Sequence, residues 1–216
     1  MRDRNAPARI GVVLYDTVEP IDVGGTVGVV SMARRILPNI SDAVIASEAG
    51  PVRLAGGLTV EAPYGVADAP ECDVYIVCGG AGWPEASRDE ALIGFLKRQA
   101  PDRLASVCTG ALVLAASGAL DGRVVTTRRN AAGAEPKAPI VLLAEIAKGA
   151  STMAAAVVDD TVVTGGGVSL AIDATLYLIG KLYGDEAAEE VAQLIEYDRA
   201  YHANRDALGH HASALS

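Results

Sequence analysis

Aromatic side chains are scarce in this sequence, with one Phe, one Trp and seven Tyr among 216 residues, although half of all residues are hydrophobic. A core must therefore be assembled from Ala, Val, Leu and Ile, and that apolar fraction argues against disorder as the dominant state. Cysteine is equally sparse: Cys72, Cys78 and Cys108 make an odd number with no CxxC or Cys/His zinc spacing. A disulfide scaffold and a structural zinc site are disfavoured, and a reducing compartment is expected. Positive charge is also short. Eighteen Lys and Arg against 27 Asp and Glu leave a net charge of -9, which repels phosphate backbones and anionic lipid, so neither nucleic acid nor a membrane surface is an expected partner. Long apolar runs are missing too. The longest uncharged stretch, Leu104 to Leu120, is interrupted by Ser106, Thr109, Gly110, Ser117 and Gly118 and falls below the ~20 apolar residues of a spanning helix. The start, Met1-Arg2-Asp3-Arg4, leads into an apolar run from Ile10 to Tyr15 that is too short for a signal peptide, so a cytoplasmic location is expected.

What is present reads as alternating strands and helices. Arg9 to Tyr15 is short, β-branched and non-alternating, the pattern of a strand buried on both faces. Ile21 to Leu37 reads as a helix weakened by Gly24, Gly25 and Gly28 and ended by Pro38, and Asp42 to Ala46 as a second strand. Pro51 to Glu61, with Gly56-Gly57 between two β-prone pieces, predicts a hairpin at a sheet edge. Buried strands are expected at Asp73 to Cys78 and Arg103 to Val107, followed by helices over Asp89 to Gln99 and Thr109 to Ala116. Val157 to Thr164 predicts a hairpin around Asp159-Asp160, followed by a helix over Ser169 to Leu182. Arg128 to Pro139 reads as a loop, Ile140 to Lys148 as a short helix, and Asp185 to Tyr197 as another. Together they predict one domain over residues 8–198, a mostly parallel sheet with helices on both faces. Residues 199–216 read as a polar tail holding all three histidines, His202, His210 and His211, as surface groups. No internal repeat and no helix-turn-helix extension is apparent.

Three predicted strand ends are glycine-rich: Gly79-Gly80, Cys108-Thr109-Gly110 and Gly165-Gly166-Gly167. In open α/β sheets ligands bind beyond the carboxyl ends of the strands, so these segments are candidates for one crevice. No Walker lysine or GxGxxG spacing follows any of them, which disfavours nucleotide binding. Cys108 stands at a strand-to-helix junction, Ser-Val-Cys-Thr-Gly-Ala, like the sharp turn that presents a nucleophile above a sheet. At a helix N-terminus its pKa is expected to fall. On its residues alone, a small buried apolar side chain fits the position equally well. Asp22, by spacing alone, is a carboxylate in the first turn of a helix.

The end Cys78-Gly79-Gly80, the Cys108 junction running on to Arg123, the pair Thr126-Thr127 and the run from Val163 to Asp173 resemble the ThiJ/PfpI superfamily over roughly residues 8–198. Glu19 to Gly25 and the Cys108 motif are most similar to the isocyanide hydratase branch and to the amidase-like domain of AraC-type regulators. The resemblance implies a flavodoxin-like doubly wound sandwich, usually a homodimer, that acts on a small molecule with neither cofactor nor metal. It implies Cys108 as nucleophile and Asp22 as its acid/base partner. The N–H groups of Gly80 and Thr109 become oxyanion donors beside Gly79, and the Thr109 hydroxyl a contact for sulfur or substrate. The implied reaction is hydration of an isocyanide to an N-substituted formamide. The alternatives are a non-catalytic ligand or redox sensor and glyoxalase-like processing of small aldehydes, although the latter normally employs Glu where this chain has Asp22. Protease-like branches carry His directly after the Cys; here Thr109 stands there and no histidine precedes His202, which disfavours a Cys-His hydrolase. Where hydratases often follow the threonine pair with His-Trp, this chain has Arg128-Arg129-Asn130; the two arginines read most simply as surface cations, with contact to an anionic substrate as the alternative.

Overall fold

The computed structural model describes residues 1–213. Its main sheet has eight strands, ordered across the sheet His210–Ala212, Val157–Asp160, Val162–Gly165, Leu104–Ser106, Val74–Val77, Ala8–Val13, Ile40–Ala46 and Tyr64–Gly65. Every neighbouring pair is parallel except Val157–Asp160 with Val162–Gly165, which form the hairpin expected around Asp159-Asp160. Thr161 makes that turn at φ 64°. The interior strands are short and almost wholly buried because helices cover both faces. On one face Val29–Ala33, Ala171–Tyr183 and Asp185–Leu194 pack together. On the other, Gly110–Ser117 packs against Trp83–Ala86, Glu90–Lys97 and Pro139–Ile146.

Chain direction across the sheet reverses beside Ala8–Val13: the next strand in sequence, Ile40–Ala46, lies on one side of it, and Val74–Val77 on the other. This is the switch point at which doubly wound sheets open a crevice at the carboxyl strand ends. The segment after Leu14 returns over that crevice and is tied down there. Val18 and Gly80 form an antiparallel bridge, the Glu19 N–H donates to the Gly79 carbonyl at 2.8 Å, and the Ala81 N–H donates to the Thr17 carbonyl at 3.1 Å.

Three expectations differ from the structure. The helix read over Ile21 to Leu37 is broken into Pro20–Val23, a π-helical turn Gly24–Gly28, and Val29–Ala33. The wide turn coincides with close packing, since a β-carbon on Gly25 would stand 2.7 Å from Ala171 Cβ. The hairpin Gly50–Arg53 with Thr59–Ala62 forms a separate two-stranded sheet rather than extending the main one. The polar tail is built into the fold: Asp198–Leu208 is a helix burying Tyr201, and His210–Ala212 pairs with Val157–Asp160. The boundary read at residue 198 therefore falls at the first turn of a helix. Periodicity missed these elements because the helix is polar on most of its circumference and the strand is three residues long. Positions 214–216 of the predicted tail lie outside the described residues.

Candidate active site

Cys108 follows Leu104–Ser106 at φ 50°, a left-handed conformation that side-chain-bearing residues seldom adopt. Several bonds hold the turn. The Cys108 N–H donates to the Gly166 carbonyl at 3.0 Å, and the Thr127 hydroxyl donates to the Cys108 carbonyl at 2.5 Å. Gly110 opens the helix because no side chain fits there: a β-carbon would stand 2.0 Å from the Val77 carbonyl oxygen. All three glycine-rich ends thus meet at Cys108, as their placement in the sequence suggested.

Gly79 marks where the predicted partners converge. From the point a β-carbon on Gly79 would occupy, Thr109 N is 2.5 Å away, Cys108 Cβ 2.7 Å and Asp22 Oδ2 2.8 Å. Asp22, brought in by Pro20–Val23, is fully buried, and its Oδ2 accepts the Gly79 N–H at 2.8 Å while Oδ1 has no hydrogen-bond partner. Burial is the largest influence on this carboxyl and raises it to about 7, against the opposing Gly79 N–H bond. An acid that changes protonation near neutrality, with one oxygen open, is suited to moving protons.

The cysteine itself departs from expectation. Burial, followed by the nearby Asp22 charge, pushes the Cys108 thiol up to about 12, and the Thr109 N–H opposes them without prevailing. The loss of water around the sulfur, at the start of the short helix Gly110–Ser117, is the largest influence. Resting Cys108 is therefore a neutral thiol whose nearest titrating acceptor is Asp22. Cys78 is fully buried and pushed up strongly, and Cys72 is pushed up to about 11, by burial in both cases.

A second correction concerns the donors. The Gly80 N–H is taken within the site, donating to the Thr109 hydroxyl at 2.8 Å, and that hydroxyl donates back to the Gly80 carbonyl at 3.2 Å. The Gly79 N–H is held by Asp22. Both glycines shape the floor of the site, and the Thr109 N–H acts on the sulfur. The Thr109 side chain is a clamp between the two strand ends.

Two contributors escaped sequence reasoning. Tyr15, two residues past the first strand, has a buried hydroxyl that lacks a partner; burial raises its pKa, with Cys78, Asp22 and Cys108 adding to the rise, which places the phenol beside the same cluster. Its position one residue past Leu14, at a switch-point strand end, is the available signal. Thr127, noted only as half of a motif, holds the elbow carbonyl. The tail histidines lie elsewhere: His202 pairs with Glu189 at 2.9 Å, and His210 is half-buried against the rings of Tyr177 and Tyr201, where burial lowers it to about 4. Among the described residues no group of three or more His, Cys, Asp or Glu is placed to hold a metal, and no helix is long and apolar enough to cross a membrane.

Residues 8–181 match the DJ-1/PfpI family, also written ThiJ/PfpI. The chain belongs to that family. The solved structures agree with the fold: a THiJ/PfpI family protein from Pseudomonas syringae superposes with a TM-score of 0.75 at 25% identity, covering 90% of this chain and 76% of the other. Among curated relatives, an isonitrile hydratase of Pseudomonas putida is 32% identical over 197 residues, 88% of this chain and 78% of the relative. The HTH-type transcriptional regulator GbdR of Pseudomonas aeruginosa is 29% identical over 203 residues, 92% of this chain but only 53% of the regulator. This chain thus spans about half the length of that relative. Proteins similar to this one thus include both a hydratase and a regulator.

Proposed function

We propose that the protein is an isocyanide hydratase-like lyase, with Cys108 as nucleophile, Asp22 as acid and base, and Thr109 as the residue that positions the sulfur. The observation that carries this reading is the convergence of Asp22 Oδ2, Cys108 Cβ and Thr109 N within 2.8 Å of one point beside Gly79. The identity to an isonitrile hydratase supports it.

The neutral thiol and the carboxyl at about 7 set the order of proton movements. Asp22, ionised, takes the thiol proton as the sulfur forms a bond to the terminal carbon of R–N≡C. The same carboxyl returns that proton to the carbon, leaving a thioimidate, R–N=CH–S–Cys108. Water then adds to this carbon; one of its protons passes through Asp22 to nitrogen. As the C–S bond breaks, the carbon becomes a carbonyl, the second water proton returns to sulfur, and R–NH–CHO leaves. Water and isocyanide are consumed in equal number, with no change in oxidation state to require a redox cofactor. A homodimer in the cytoplasm is the setting proposed for this activity.

The overlap with a regulator favours one second reading, a ligand sensor that binds at the same crevice without turnover. A panel of small, alkyl, aryl and carboxylate-bearing isocyanides separates the two, with methylglyoxal as a parallel control for aldehyde processing. Formamide production from any isocyanide, lost in Cys108→Ala, is the expected result. Absence of formamide across the whole panel, with Cys108 shown to be reduced and accessible, would falsify the hydratase reading and favour the sensor.

A further inference from the structure

Arg128, read from the sequence as a surface cation, lies instead in the wall of the site. Its side chain keeps 13% of its surface exposed, whereas Arg129 and Asn130 are fully outside. Gly167 shows where it goes. From the point a β-carbon on Gly167 would occupy, Cys108 Sγ is 2.9 Å away, Arg128 Cβ 2.7 Å and Arg128 Cγ 3.0 Å. The stem of Arg128 therefore faces the sulfur across a residue with no side chain. Its positive charge lowers the pKa values of both Asp22 and Cys108, though less than burial raises them.

The guanidinium is occupied by the chain itself. Nη2 pairs with Glu135 Oε1, and Nη1 donates to the Asn130 carbonyl at 2.6 Å. Glu135 Oε2 accepts the Ala132 N–H at 2.8 Å, which holds that carboxylate in a loop folded back over Arg128. A guanidinium is a planar fork that matches a carboxylate, and its charge persists at any working pH. The guanidinium end of a side chain whose stem lies near Cys108 thus already carries a docked carboxylate.

We propose that Arg128 is a specificity-determining residue that reads a carboxylate on the substrate, and that Glu135 is an internal stand-in which such a substrate displaces. The proposal rests on the reading of Cys108 as the centre of a small-molecule site and adds the substrate class: a small electrophile bearing an anionic group. Binding exchanges one carboxylate for another on Arg128, so little is lost electrostatically, and the gain is the positioning of the electrophilic carbon over the sulfur.

The test needs no turnover. Iodoacetate and iodoacetamide alkylate a thiolate by the same step, in which the sulfur bonds to the methylene carbon as iodide leaves, and only the first carries a carboxylate. Rate constants at Cys108, followed by peptide-resolved mass spectrometry, are compared for wild type, Arg128→Gln, Arg128→Lys and Glu135→Gln. The iodoacetate-to-iodoacetamide ratio is expected to fall about tenfold in Arg128→Gln, equivalent to about 1.4 kcal/mol. It should recover in part in Arg128→Lys and rise severalfold in Glu135→Gln. An unchanged ratio in folded Arg128→Gln overturns the proposal, as does failure of both reagents to reach wild-type Cys108. Should Arg128→Gln not fold, a ratio in Glu135→Gln no higher than wild type overturns it. A protein inert to isocyanides that nevertheless shows the expected ratios refutes the hydratase reading and leaves the anion subsite standing.

Discussion

Replacing Asp22 by Asn removes a charge from beside the sulfur while keeping an oxygen that can accept the Gly79 N–H, so it separates electrostatics from shape. Cys108 is raised from 9.0 to about 12, first by burial and second by Asp22. Two like charges about 4 Å apart at an effective dielectric near 20 repel by about 4 kcal/mol, more than enough to account for a visible part of that rise. Asp22 ranks second to burial, and its removal is expected to lower the thiol by on the order of one pH unit, or about 1.4 kcal/mol. The Cys108 thiolate should therefore form about one unit lower in Asp22→Asn. The assay is the ultraviolet thiolate band, titrated as the difference between each protein and its Cys108→Ala counterpart, which removes Cys72, Cys78 and the tyrosines. At the same time turnover should fall by about 10²- to 10⁴-fold, because a more available thiolate cannot replace the lost proton carrier. A variant with better ionised sulfur and poorer catalysis is the signature of a proton-transfer role. A thiolate midpoint that stays put or rises would refute the electrostatic argument, and undiminished turnover would return Asp22 to a structural role.

Two further outcomes follow from buried groups elsewhere in the argument. Asp22 has a folded pKa of about 7 against an ordinary 3.8, so its contribution to stability is fully present below about pH 4 and is lost as pH rises through 7. Chemical denaturation at pH 5 and pH 8 should show wild type losing on the order of 2–3 kcal/mol more than Asp22→Asn over that interval; equal losses would show that the carboxyl is not held protonated. Gly110→Ala places a β-carbon 2.0 Å from the Val77 carbonyl oxygen and should cost about 3 kcal/mol or more, read as a lowered denaturation midpoint. A midpoint within experimental error of wild type would mean that the elbow backbone moves freely.

The buried strands were legible because apolar, β-branched runs ending in glycine have few other readings, and the strand-to-helix junction at Cys108 carried its own turn chemistry. Asp22 was legible only through resemblance, since a carboxylate in a first helical turn is ordinary. What remained hidden depended on distance in space. Gly80 and Thr109 are 29 residues apart, and nothing in either position announces that the hydroxyl takes the N–H for itself. The direction of the Cys108 pKa turned on how completely the packing around the sulfur excludes water, a property that no local motif records. Arg128 looked like a surface cation because its neighbours are charged or polar and Gly167 lies far along the chain. The helix Asp198–Leu208 was missed because most of its side chains face water and a single tyrosine is buried.

The strand His210–Ala212 has a consequence for how the protein matures. It closes one rim of the sheet by pairing with Val157–Asp160, about fifty residues earlier in sequence. Until those later residues arrive, the rim exposes a ladder of unpaired backbone groups, the kind of template on which chains add to one another. Asp159, on that rim strand, is held by Lys181 at 2.7 Å and by the Tyr177 hydroxyl at 2.9 Å, both from the neighbouring helix. The three-residue strand covers that rim, and so short a new edge offers little template for growth by edge addition.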